Sequence, residues 1–179
     1  MSGGEYWRRS SEELVRALSA SEEVTRREYA ASLELIAELA SRDVAAEVGY
    51  PSLAVLLRDV LRIGTGEAKR RVGQASAVSE TPLVSGGVAP AVLPATAAAL
   101  REGVLGADHV EVIASTLAGL PLHVPDADRE LAERTLVDPA RSLDARTLTK
   151  VGHRIRAVSD QDGAPPDDRE LAEPVNDFT

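Results

Sequence analysis

The segment YPSLAVLLRDVLRIGTGEAKRRVGQA, residues 50–75, constrains the fold more than any other stretch. Leu53, Leu56, Leu57, Val60 and Leu61 recur at the spacing of one helix face. Gly64-Thr65-Gly66 breaks that helix, and Thr65 is placed to cap the next one. Ala68, Val72 and Ala75 give the second helix a narrow inward side. The pattern predicts two short helices, 52–62 and 65–79, joined by a tight turn: a helix-turn-helix-like pair. At about 100° per residue, Arg70 points nearly opposite the apolar side. Glu67 and Gln74 lie beside it, and Lys69 and Arg71 flank the face. Long donors outward and small residues inward is the layout of a recognition helix. Arg and Gln are also the residue types that hydrogen-bond guanine and adenine edges. Thr65, Lys69, Arg70, Arg71 and Gln74 are therefore candidates for DNA binding. The plainer alternative is a solvated face in an Arg-rich chain.

Helical signals run through most of the remaining sequence. Leu14, Ala17 and Leu18 begin an apolar stripe, and Leu33, Ile36, Ala37, Ala40 and Val44 continue at helical offsets. This predicts a long helix over 22–48, with Gly49 at its C-terminal cap. Residues 82–93 mix proline and glycine with apolar residues and read as an irregular loop. Further helices are expected at 94–103, ended by Gly103, at 107–118, and at 126–137. A last helix is capped by Asp144, with Leu148, Val151, Ile155 and Val158 inward. No stretch alternates with period two, so no sheet is expected. The expectation is an all-α, single compact domain of about seven helices over 11–160. A flexible N-terminus (1–10) precedes it, and an acidic, disordered tail (161–179) follows. Leu56, Leu57, Val60, Val72, Leu100, Ile113, Leu117, Leu148 and Ile155 are the expected core.

Composition narrows the function classes. Apolar residues make up 44%, enough for a core, but aromatics only 3%, so Leu, Val and Ala must fill it. With no cysteine, thiolate metal sites, disulfides and cysteine nucleophiles are excluded. The N-terminus lacks the apolar core of a signal peptide, and no apolar run approaches a membrane span. The expected localisation is cytoplasmic, without a membrane partner.

Net charge is −9, which argues against nucleic-acid binding by the whole surface. The charge is uneven, however. Residues 58–71 carry five basic and two acidic side chains, and 141–158 carry five and one. Residues 159–179 carry one and seven, so the tail can compete with DNA for a basic patch. In the last helix Arg146, Lys150 and His153 recur at offsets 0, 4 and 7, with Arg156 nearby. These form a second basic face able to contact phosphates. Alternatively it is an ordinary exposed face.

No catalytic constellation is legible. His109, His123 and His153 lie far apart, and Asp108-His109-Val110-Glu111 lacks metal-ligand spacing. His109, near a helix start, reads as a packing or capping residue. No catalytic residue, metal, cofactor or small-molecule substrate is assigned. A protein-interaction or oligomerisation module is the competing reading. It rests on Leu35 and Leu39, which widen the apolar face of the 22–48 helix and offer a homodimer contact.

Three pieces occur in a distinctive order: GYPSLAVLLRDVLRIGTGEAKRRVGQA (49–75), LPATAAALREGVLGADHVEVIASTLAGLP (93–121) and LDARTLTKVGHRIRAVSDQDG (143–163). In this order the chain resembles the actinobacterial family known as domain of unknown function 222, or 13E12 repeat family. The resemblance implies an all-helical N-terminal module, usually followed by an HNH endonuclease domain that holds the catalytic histidines and metal. It therefore implies a DNA-associating or targeting role, with no catalytic residue among those present here. Two positions depart from the family pattern. Gly106 stands where a capping Ser or Thr is usual, and SDQDG (159–163) replaces the commoner DPDG. Glycine is itself a fair N-cap, so the fold expectation stands.

Overall fold

The computed structural model describes residues 6–83 and 86–161. The longest element, α1, runs over Ser11–Ser41. It starts where Ser10 and Glu13 form a reciprocal capping box. The Glu13 amide donates to Ser10 Oγ at 3.2 Å, and the Ser10 amide donates to Glu13 Oε2 at 2.7 Å. The remaining helices are α2 (Val44–Glu47), α3 (Leu53–Leu61), α4 (Thr65–Val78), α5 (Pro94–Glu102), α6 (Ala107–Ala118), α7 (Asp126–Ala140) and α8 (Ala145–Gln161). The chain is all-α in class, with eight α-helices among the described residues.

Several expectations need correction. The long helix is not 22–48. It begins at Ser11 and ends at Ser41, and Asp43 adopts a left-handed φ of 50° that starts the separate helix α2. The expected loop contains a small antiparallel ladder, β1 (Thr81–Pro82) with β2 (Val88–Ala89), paired Thr81 to Ala89 and Pro82 to Val88. A two-residue ladder is too short to leave an alternating pattern, so the expectation of no sheet fails only there. Val60 is 64% exposed, because α3 packs on α4 through Leu56 and Leu57. Val158 is also exposed, while Val72 and Ile155 are half-buried. Residues 1–5 of the expected N-terminal segment lie outside the described residues, as do 162–179 of the acidic tail. Residues 6–8 form one 3-10 turn.

The core is made of Leu, Ile, Val and Ala, as the scarcity of aromatics requires. Leu33 and Ile36 of α1 meet Leu57, Ala68 and Ala75 from the helix pair. Leu100, Leu105, Val110, Ile113, Leu136 and Leu148 close the other side. Burying a Leu or Ile side chain contributes about 1.5–3 kcal/mol, so this set supplies most of the driving force. Small residues permit the closest helix approach. Gly152 of α8 lies so near Thr116 of α6 that an added Cβ would collide with Thr116 Oγ1. At the end of α5, Gly103 takes a φ of 82°, which a side chain would resist.

Two buried polar contacts were not foreseen in the sequence. Helix α5 opens with Leu93-Pro94, which offers no side-chain cap. Glu133 of α7, 2% exposed, supplies it from outside. Its Oε1 accepts from the Thr96 amide at 2.7 Å and from Thr96 Oγ1 at 2.8 Å. Arg129 donates to the carbonyl oxygens of Leu117, Leu120, Pro121 and Val124, fixing the turn between α6 and α7.

Candidate nucleic-acid interface

Helix α4 carries the first candidate set, but its polar side is engaged by the domain itself. The helix starts after Gly64, which makes no side-chain cap, and Thr65 is the exposed first helical residue, not the cap. Gln74 was expected on the outer face. It is instead 3% exposed, because α1 and α6 close over that side. The Tyr29 hydroxyl donates to Gln74 Oε1 at 2.7 Å, and Gln74 Nε2 donates to the Ala107 carbonyl at 2.9 Å. Burial raises the pKa of Tyr29, and the carboxylate of Glu67 adds to the rise.

The arginines of α4 are held in the same seam. Arg70 bonds Glu67 Oε2 through Nη2 at 2.6 Å and Asp108 Oδ1 through Nη1 at 2.8 Å. Arg71 donates from Nε to Glu67 Oε1 at 2.7 Å, and its guanidinium lies 5.4 Å from the Tyr29 ring centre. Burial pushes the Glu67 carboxyl up, but the hydrogen bonds from Arg71 and Arg70 outweigh it and hold the group below its ordinary range. Both guanidinium groups are thus partly buried and matched by carboxylates. The exposed residues of the helix are Thr65, Gly66, Lys69, Gly73 and Ser76, a nearly uncharged strip with one cation.

The second set lies on α8, and there the charge is available. Asp144 caps the helix as expected: Oδ1 accepts from the Thr147 amide at 3.0 Å and Oδ2 from Thr147 Oγ1 at 2.7 Å. Leu148 is buried, with Val151 and Ile155 half-buried on the same side. Arg146, Lys150 and His153 are exposed on the other. Arg156 does not belong with them. It is half-buried, and its Nη2 lies 3.0 Å from His153 Nδ1. Arg154, absent from the expected set, takes its place on the exposed face. Helical spacing does not separate the two, since Arg154 and Arg156 lie about 80° to either side of Arg146; the contact of Arg156 with Gly119 at the end of α6 does. Among the described residues, Arg146, Lys150 and Arg154 have no ion-pair partner.

The other flagged residues have plain structural places. His109 closes the start of α6: the Gly106 amide donates to Nδ1 at 3.3 Å, and Nε2 lies 2.8 Å from the Leu143 carbonyl. The ring thus bridges the start of α6 to the loop before α8. Leu35 is exposed, whereas Leu39 packs against the core. No helix among the described residues is long and apolar enough to cross a membrane.

The model of the family described as "Domain of unknown function (DUF222)" matches residues 15–175. Uncharacterized protein MT1160 of Mycobacterium tuberculosis (strain CDC 1551 / Oshkosh) is 36% identical over 129 residues, covering 72% of this chain and 30% of that protein. Uncharacterized protein Mb1179c of Mycobacterium bovis (strain ATCC BAA-935 / AF2122/97) is 38% identical over 130 residues, covering 73% and 28%. Uncharacterized protein MT1741Mb1728c of Mycobacterium tuberculosis (strain CDC 1551 / Oshkosh) is 34% identical over 151 residues, covering 84% and 33%. The chain thus spans about a third of the length of these relatives. No solved structure matches. The match along most of the chain, and the helical fold beneath it, place the protein in the domain of unknown function 222 family.

Proposed function

We propose that this domain associates with nucleic acid through the phosphate backbone, using the outer face of α8. The observation that carries the reading is the row of cations Arg146, Lys150 and Arg154 on one exposed helix side, without an ion-pair partner among the described residues. Phosphates are bound by cations that need not first break an internal ion pair, and each one neutralised releases counterions. Such contacts position a protein without reading sequence. A targeting module joined to a catalytic part elsewhere in a longer chain needs no more than this, and an HNH nuclease part is what the family resemblance implies. The chain itself is then not an enzyme. With a net charge of −9, affinity is expected to be weak, micromolar or poorer at physiological salt. Anisotropy of a labelled duplex and of a labelled single strand, titrated at low salt, tests the reading. Saturable binding that weakens as salt rises is the expected result; no binding to either strand form ends it.

A second reading, protein interaction, has its own observation. No residue between Ser11 and Thr25 is buried, and Leu14, Val15 and Leu18 lie exposed along that half of α1. Helical pairs such as Arg16 with Glu12 support the helix over this stretch. An apolar strip of this length is a contact surface.

A further inference from the structure

A cleft between α6 and α7 has the chemistry of a binding site for an aromatic, cationic group. Its volume is about 480 Å3, within the range of sites that hold small organic groups. One wall is apolar, built from Leu93, Ala114, Leu117 and Ala118. The other carries Asp126, Glu130 and Glu133. Arg129 also lines the cleft, with four of its five guanidinium N–H groups given to main-chain carbonyls. Among the described residues no cation pairs with any of the three carboxylates. Glu133 is the strongest element. It is 2% exposed, only its Oε1 is engaged, and Oε2 has no hydrogen-bond partner although the residue lines the cleft. A carboxylate oxygen that opens on the cleft beside an apolar wall favours a ligand that brings both apolar surface and positive charge.

The chain carries such a group at its other end. Tyr6 and Trp7 are exposed, Trp7 by 77%, in the turn that precedes α1. The Arg8 guanidinium lies 4.6 Å from the Trp7 ring centre, and that of Arg9 lies 5.3 Å from the Tyr6 ring centre. This aromatic and cationic tip stands at the start of a continuous helix whose first buried residue is Ala30. The helix already meets the rest of the domain at Glu23, whose carbonyl lies against Gly103, and at Arg26, which bonds the Val104 carbonyl. From Ser11 to Glu23 is about 18 Å of helix, so the tip stands clear of the domain body.

We infer that the cleft between α6 and α7 receives the Tyr6–Arg9 tip of a second copy of this chain, with Trp7 against the apolar wall and an arginine at the carboxylates. The contact is head-to-tail: each copy offers one tip and one cleft, so copies add in a row or close a ring.

Trp7 is the only tryptophan of the chain, so its fluorescence reports the contact directly. The emission of the full chain should shift to the blue as concentration rises, with light-scattering mass rising in parallel. A peptide of residues 5–10 should reverse both. Trp7→Ala and Glu130→Arg each alter an exposed residue and should each weaken self-association by about tenfold or more, with unchanged circular dichroism. The two variants mixed should form a 1:1 complex that grows no further, because one intact cleft and one intact tip remain. An emission maximum independent of concentration would overturn the inference. So would a Glu130→Arg protein that associates like the wild type, or a mixture that stays monomeric.

Discussion

The basic cluster of α4 and the basic face of α8 look alike as sequence and differ as surfaces. On α4, Arg70 and Arg71 converge on Glu67, Asp108 takes a further bond, and Gln74 is closed in by Tyr29 and Ala107. On α8, Arg146, Lys150 and Arg154 are exposed and form no ion pair among the described residues. The first cluster joins α1, α4 and α6; its charge is consumed in the fold. The second has no packing role, because Leu148 and its neighbours anchor the opposite side of the helix. Basic density in a sequence therefore measures charge present, not charge available to a partner.

The largest effect is expected where the α8 face is unseated without touching its charges. Gly152→Ala forces Cβ into Thr116 Oγ1, so the helix must shift or Thr116 must move. Overpacking of this kind costs about 1–3 kcal/mol, read by chemical denaturation. DNA affinity should fall only if the face is displaced. Next, Gln74→Ala leaves the Tyr29 hydroxyl without its acceptor and removes the bond that ties α4 to the Ala107 carbonyl of α6. A loss of about 1–2 kcal/mol with little change in DNA binding would mark α4 as structural. Unchanged stability with abolished binding would return the recognition role to that helix.

Which of these features the sequence shows depends on how local their cause is. Helices α5 and α6 are legible at their boundaries because Pro94, Gly103 and Gly119 punctuate them chemically. The apolar stripe of α1 also locates Leu33 and Ile36 in the core. The break at Asp43 is not legible, since the left-handed turn falls on a residue other than glycine. Gln74 was misplaced for a different reason. A helical wheel finds the apolar side of α4, but not that α6 packs on its polar side. Val60 fits the stripe of α3, yet no described residue covers it. Glu133 left one usable signal: α5 begins without a capping side chain, so its amides need an acceptor from elsewhere.

A smaller effect should follow from Glu67→Gln, which moves α4 toward the condition of α8. Arg71 loses its anionic partner and Arg70 keeps only Asp108. Stability should drop by less than about 1 kcal/mol, and DNA affinity should rise roughly two- to threefold. Acid should act on the same group. The Glu67 carboxyl is depressed in the folded state, so its contribution is fully present above the ordinary Glu value of about 4. It is lost as pH falls through the lower, folded value. In the Glu67→Gln protein that part of the acid sensitivity should vanish, as thermal melts across this pH window would show.

The most direct test sets the two clusters against each other in one assay. Duplex binding is measured across a salt series for the wild type, for Arg146→Glu with Lys150→Glu and Arg154→Glu, and for Lys69→Glu with Arg70→Glu and Arg71→Glu. Each phosphate that the protein no longer neutralises lowers the slope of log K against log salt by about 0.9. The α8 variant should drop by two to three such increments, with most of its affinity gone, and remain folded. The α4 variant should drop by at most about one, for Lys69, and should be less stable because its carboxylates now face like charge. The opposite ranking, a flat slope for the α4 variant and a near wild-type slope for the α8 variant, would contradict the account.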